Sequence, residues 1–84
     1  SFNAMNPVPS IPANAVFDVR DKALTDDSLQ LPEKYEEREF LRFDARNNHL
    51  SVFSFLALPS FLHLQELNLN SNGLSLVPKE IMLL

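Results

Sequence analysis

The chain lacks cysteine and has a single glycine, Gly73, among its 84 residues. Without cysteine it can form no disulfide bond and no thiolate, which favours the reducing interior of a cell. Loops that cradle phosphate need several residues without a side chain, so a single glycine excludes the common nucleotide-binding loops. We therefore expect no cofactor, and we expect the cytoplasm as the compartment, with the nucleus as the alternative.

Basic charge and long apolar runs are also scarce. The formal net charge is −4, which disfavours binding to nucleic acid, because that requires a basic surface. The apolar runs are too short to span a bilayer, and no stretch has the pattern of a signal peptide. With 45% apolar and 21% charged residues, the chain has the composition of one small folded domain. We expect no nucleic-acid and no membrane partner.

An internal repeat, which begins at Phe40 and again at Leu64, is the strongest pattern in the sequence. Five positions of one copy, four apolar and one asparagine, recur at the same spacing in the next copy. They are Phe40, Phe43, Ala45, Asn48 and Leu50, followed by Leu64, Leu67, Leu69, Asn72 and Leu74. A weaker copy stands earlier, with Phe17 in the place of Phe43 and Lys22 in the place of the asparagine. A repeat of this length predicts structural units that stack on a shared core.

The spacing Leu64-x-x-Leu67-x-Leu69-x-x-Asn72-x-Leu74 resembles the leucine-rich repeat of the intracellular type, without cysteine caps. The resemblance implies an α/β fold, a right-handed solenoid with a short parallel sheet on its concave face. Short helices or irregular turns would form the convex side. It also implies that protein partners dock on the concave face.

The repeats divide the chain into four expected segments. They are an extended, proline-containing arm over 1–15, a degenerate N-terminal repeat or cap over 16–39, a repeat over 40–63, and a truncated repeat over 64–84. Pro32 and Pro78 precede charged helix formers, which predicts short helices on the convex side. The apolar end at Leu83 and Leu84 predicts a fragment of a longer array, in which further repeats or a self-association contact cover that end.

Alternation along the strands predicts a binding surface. Because successive strand residues point to opposite faces, Leu67 and Leu69 would face the core while their neighbours face outward. The expected protein-binding residues are Asp18, Arg20, Arg42, Asp44, Arg46, Glu66, Asn68 and Asn70. Alternatively, these charges only pair across strands and stay solvated. Asn48 and Asn72, where the chain leaves the strands, would form a structural ladder of amides bonded to the backbone.

Other polar residues do not suggest chemistry. His49 and His63 lie far apart along the chain, without cysteine or a carboxylate at ligand spacing, so we expect no metal. The acid pairs at 26–27 and 36–37 are adjacent and solvated, and the serines form no nucleophile motif, so we expect no catalytic residue. The phenylalanines follow core positions, which favours packing over base stacking.

Together these patterns predict a non-enzymatic scaffold that binds a protein partner through the concave sheet face and takes no small-molecule substrate. The alternative is a targeting or regulatory repeat domain of a larger protein with an enzyme elsewhere in its chain. The docking role follows from the family resemblance, because a fold alone does not determine a function.

Overall fold

A computed structural model describes residues 10–73 of the chain. Three short strands form one parallel sheet in the order in which they occur along the chain. They are β1 (Val16–Asp18), β2 (Arg42–Asp44) and β3 (Glu66–Asn68). This is a small mixed structure that is compatible with the α/β class, and it confirms the predicted parallel sheet.

The register of the sheet follows the spacing of the sequence. Phe43 of β2 lies opposite Phe17 of β1 and opposite Leu67 of β3. Pairing continues beyond the strands, because the Val19 amide donates to the Asp44 carbonyl at 2.8 Å. Residues at equivalent positions of the repeat are therefore direct neighbours in the sheet.

All helices in residues 10–73 are short 3₁₀ helices. They are Ala13–Ala15, Tyr35–Glu37, Ser54–Ala57 and Pro59–Phe61. None has the length and apolar character needed to cross a membrane. After Pro32 the expected short helix is the 3₁₀ helix Tyr35–Glu37, which does not include Pro32 itself. Lys34 has a left-handed backbone with φ of 57° and Arg38 is extended, so the helical geometry stops on both sides.

The segment before β1 differs from the extended arm expected over 1–15. Ala13–Ala15 forms a 3₁₀ helix, and Ala15 is buried, with its carbonyl accepting the Leu41 amide at 2.8 Å. The Arg38 guanidinium donates to the Asn14 carbonyl from Nε at 3.1 Å and from Nη2 at 2.8 Å. These tertiary contacts hold the segment against the rest of the fold. The remainder of the expected arm, the helix after Pro78 and the apolar end lie outside the described residues.

Phenylalanine rings form the core behind the sheet. The cluster contains Phe17, Phe40, Phe43, Phe53, Phe55 and Phe61. Phe40 stacks on Phe61 with 4.8 Å between ring centroids, and Phe17 stacks on Phe43 at 5.1 Å. Burying aromatic surface supplies most of the apolar stabilisation in so small a chain. Toward β3 the burial decreases, since Leu67 and Leu69 are only partly buried.

A left-handed residue marks the turn after each strand. Asp21, Asn47 and Ser71 have φ of 58°, 57° and 61°, and they occupy equivalent positions of the three copies. Aspartate and asparagine tolerate this conformation better than most residues. The shared turn directs the chain away from the sheet at the same point in each copy.

Candidate functional site: the exposed face of the sheet

The exposed face of the sheet is the side opposite the phenylalanine core. Its residues are Asp18, Arg20, Arg42, Asp44, Arg46, Glu66, Asn68 and Asn70, the set that the alternation of the strands predicts. On β2, Arg42 and Asp44 flank Phe43, which is completely buried. Neighbouring residues of the same strand therefore point to opposite sides of the sheet, one side apolar and the other charged.

Asp44 and Arg46 form the most closely bonded pair of the face. Arg46 donates from Nε to Oδ1 of Asp44 at 3.0 Å, and its Nη2 lies 2.9 Å from Oδ2. The Arg46 backbone amide donates to the same Oδ1 at 3.2 Å. Only 14% of the Asp44 side chain is exposed, so these three contacts use most of its accepting capacity. Asp44 thereby holds the Arg46 guanidinium in one orientation.

Two further ion pairs lie on the exposed face. Arg42 donates from Nε to Glu66 across the strands, and this bond raises the pKa of the Arg42 guanidinium above its usual range. The Nε atom of Arg20 lies 3.4 Å from Oδ2 of Asp18. The pair of Arg42 and Glu66 therefore joins two strands, as expected if the charges only pair across strands and stay solvated. The pairs of Arg20 and Arg46 each join residues two positions apart in the same segment.

A side-chain-to-backbone bond recurs at the end of each strand. The side-chain oxygen of one residue accepts the amide two positions later, in Asp18 and Arg20, Asp44 and Arg46, Asn68 and Asn70, at 3.1, 3.2 and 3.1 Å. Sequence reasoning missed this feature. The repeated triplet of aspartate, any residue and arginine at 18–20 and 44–46 was the available signal.

A hollow of about 420 Å³ opens on the exposed face. It is lined by Arg20, Arg42, Phe43, Asp44, Arg46, Glu66, Leu67 and Asn68. The structure thus brings together all of the predicted binding residues except Asp18 and Asn70. Phe43 and Leu67 also border the hollow, but Phe43 is completely buried and Leu67 packs against the core, so their side chains belong to the apolar side of the sheet, as the sequence pattern predicts.

Asn48 bonds one turn of the chain to the next. It is 2% exposed, and its Nδ2 donates to the carbonyls of Val19 and Ala45, both at 2.9 Å. Its Oδ1 accepts the Leu24 amide at 2.9 Å and the Lys22 amide at 3.2 Å. These backbone groups belong to two successive copies of the repeat, so the side chain joins the copies directly.

Asn72 makes the corresponding contacts one copy later. Its Nδ2 donates to the carbonyls of Ala45 and Leu69, both at 2.9 Å, and its Oδ1 accepts the Leu50 amide at 3.0 Å. In the first copy Lys22 stands in the asparagine's place, and its side chain is exposed. The side-chain amides of Asn48 and Asn72 therefore stabilise the fold, because their polar atoms are hydrogen-bonded to backbone groups.

Asp26 forms a second link between copies. Its Oδ1 accepts the amides of Ser51 and Val52 at 2.8 and 3.0 Å, and its Oδ2 accepts the Ser51 hydroxyl at 2.6 Å. The Ser51 hydroxyl and these amides lower the pKa of the Asp26 carboxyl below its usual value. The sequence assigned Asp26 to general surface charge, but it bonds a turn in the next copy.

The histidines take no part in the exposed face. His63 Nδ1 lies 2.9 Å from Oε2 of Glu39, and both side chains are largely solvent-exposed. Within residues 10–73, no group of three or more histidine, cysteine or acidic side chains is placed to hold a metal ion.

No family model matches the chain, and no curated protein and no solved structure is significantly similar to it.

Proposed function

We propose that the chain is a leucine-rich-repeat interaction module that binds a protein partner through the exposed face of its sheet. The observation that carries the proposal is the separation of the two sides of the sheet in each copy of the repeat. Buried Phe17, Phe43 and partly buried Leu67 lie in register on one side. Charged and amide side chains stand in rows on the other. Stacked repeats use such surfaces as extended docking faces.

Within this proposal, successive copies stack as a right-handed solenoid. The strands pair in parallel, and paired residues of successive copies are separated by nearly the same number of residues along the chain. Connections between parallel strands are right-handed in almost all proteins, which supports this handedness. The amide links of Asn48 and Asn72 further support it, because each bonds a copy to the one before. We place the module in the cytoplasm, with the nucleus as the alternative, on the composition of the sequence alone.

A pre-ordered arginine supports a role in binding. Asp44, which is mostly covered, fixes Arg46 before any partner arrives. A partner then loses less free energy to the ordering of this long side chain. Arginine is also among the residues that contribute most to the affinity of protein interfaces. The charged groups bond one another around an open hollow, an arrangement suited to recognition without catalysis.

The same face would serve the alternative role, a targeting or regulatory domain attached to an enzyme. In both roles the partner contacts the exposed face, and the roles differ in what the rest of a larger chain would do. We favour the scaffold because it requires nothing beyond the exposed face that residues 10–73 form.

Photo-crosslinking from the exposed face tests the proposal. A benzoylphenylalanine at Asn68, inside the hollow, is compared with the same group at Glu36, on the 3₁₀ helix Tyr35–Glu37 and outside the hollow. We expect the Asn68 probe to crosslink discrete proteins in a cell extract. Those crosslinks should disappear when Arg42→Glu and Arg46→Glu are added.

The matched control reverses Glu36 and Glu37 to lysine, and circular dichroism checks that every variant folds. Equal crosslinking from Glu36, or unchanged crosslinking in the folded arginine variant, would contradict the proposed surface.

A further inference from the structure

The hollow of the exposed face concentrates arginine in an acidic chain. Three of the seven basic residues, Arg20, Arg42 and Arg46, line it, although the chain carries a net charge of −4. Two acids, Asp44 and Glu66, line it as well. The lining therefore carries one more basic than acidic side chain, and the charges of the whole exposed face balance because Asp18, outside the lining, pairs with Arg20.

Each of these arginines turns its Nε atom toward an acidic partner, which leaves terminal nitrogens unused. Arg42 bonds Glu66 through Nε, and Arg20 approaches Asp18 through Nε. Arg46 uses Nε and Nη2 on Asp44. Within residues 10–73, the Nη1 atom of none of the three has a protein acceptor, nor does Nη2 of Arg20 or Arg42. The guanidinium groups are thus oriented while several N–H donors remain available.

The acids of the hollow offer much less to a ligand. Both oxygens of Asp44 are bonded to Arg46, and its side chain is mostly covered. Glu66 uses Oε2 on Arg42 and keeps one free oxygen. Most of the hydrogen-bonding groups that remain free in the hollow are therefore charged N–H donors. Such donors bind carboxylates in short, paired hydrogen bonds.

We infer that the hollow receives a glutamate or aspartate side chain from an acidic peptide segment of the partner. This inference rests on the proposed function and names the chemistry of its partner. The carboxylate accepts from the terminal nitrogens of Arg46 and of the neighbouring Arg20 and Arg42. Glu66 competes with that carboxylate for Arg42, and so limits the affinity.

Fluorescence anisotropy with three labelled peptides tests the inference. In the probe, glutamate alternates with serine, and the C-terminus is amidated so that only side chains supply carboxylates. The controls replace every glutamate with glutamine or with lysine. We expect the folded 84-residue chain to bind the glutamate peptide at least about tenfold more tightly than either control. Added salt should weaken this binding.

Substitutions with opposite expected signs sharpen the test. Arg46→Gln removes the best-held guanidinium and should weaken binding of the glutamate peptide about tenfold. Glu66→Gln releases Arg42 and should strengthen it by a factor of about three. Lys34→Gln changes the net charge by the same amount as Arg46→Gln, away from the hollow, and should have little effect.

Several results would overturn the inference. They are equal binding of the glutamate and glutamine peptides, preference for the lysine peptide, no detectable binding, or weaker binding in the folded Glu66→Gln variant. If the crosslinks from Asn68 still depend on Arg42 and Arg46, the proposed function survives such a result and only the acidic partner is excluded. If those crosslinks are also insensitive to the arginines, both proposals fail.

Discussion

Residues 16–39 and 40–63 contain the same strand and turn, yet they bury very different amounts of apolar surface. Residues 40–63 supply seven of the nine buried apolar residues in the described part of the chain. Leu24 and Leu50 occupy equivalent places in the two copies, but Leu24 is partly exposed while Leu50 is completely buried. One sequence pattern therefore yields two degrees of burial.

The position of each strand in the sheet explains the difference. β2 has a paired strand on both sides, whereas β1 pairs with β2 alone within residues 10–73. Side chains behind a central strand contact neighbours from both directions, and such contacts are what make a packed core. Stability should therefore depend most on residues 40–63.

The largest expected difference is between two leucine truncations. Leu50→Ala should lower the free energy of unfolding by about 2–5 kcal/mol, because it leaves a cavity in a fully packed site. Leu24→Ala should cost less than half as much, since its side chain already contacts solvent. Urea denaturation monitored by circular dichroism measures both. Equal losses would remove the distinction between the two copies.

The asparagine position gives the next largest difference. Asn48→Ala removes the partner of backbone amides and carbonyls from two copies, and should cost about 3 kcal/mol. Lys22→Ala changes the equivalent position of the first copy, where the side chain is exposed, and should change stability by less than about 0.5 kcal/mol. The same urea titration compares them. A large cost for Lys22→Ala would mean that the first copy depends on this position as the second does.

Asp26 should make a smaller and pH-dependent contribution across the junction of the two copies. Its pKa is lowered in the folded state, so its contribution is complete above the unfolded value of about 3.9 and is lost as the pH falls through the folded pKa. At pH 7, Asp26→Asn should cost about 0.5–1 kcal/mol, a modest amount because the carboxylate is exposed.

Asp27→Asn is the matched control for Asp26, because it removes the same charge at the adjacent residue. Unfolding is followed in urea from pH 7 down to pH 3. The cost of Asp26→Asn should shrink toward the acid end, and at pH 7 it should exceed the cost of Asp27→Asn. A cost for Asp26→Asn that grows on acidification would contradict the assigned hydrogen bonds.

The smallest effect on stability is expected on the exposed face itself. Arg46→Ala should lower the free energy of unfolding by less than about 1 kcal/mol, because its ion pair is partly solvated. This result would show that the charged side of residues 40–63 contributes much less to stability than the buried side. A loss as large as that of Leu50→Ala would show that the two sides are energetically inseparable.

Features repeated in the sequence could be predicted, and features made by single tertiary contacts could not. The offsets between copies predict the alignment of Phe43 with Leu67 and Phe17, because stacked copies must place equivalent residues side by side. The binding of Asp26 to Ser51, by contrast, occurs once in residues 10–73, and no spacing rule indicates it.

Local backbone geometry also limited the prediction. The left-handed Lys34 delays the helix expected after Pro32, which begins only at Tyr35, and a lysine gives no sequence signal for that conformation. The hydrogen bonds of Arg38 to the Asn14 carbonyl likewise depend on two segments meeting in space. Of the candidate site, the residues of the face could be predicted, whereas the pairing that orients its arginines could not.

Hydrogen-bond scalar couplings measured by NMR test the central claim most directly. Parallel pairing of the copies places the Val19 amide on the Asp44 carbonyl at 2.8 Å and the Ala45 amide on the Asn68 carbonyl at 2.9 Å. The account predicts a through-bond coupling across each of these contacts in the folded chain. Couplings that instead pair the strands in opposite directions, or join these amides to other carbonyls, would contradict it.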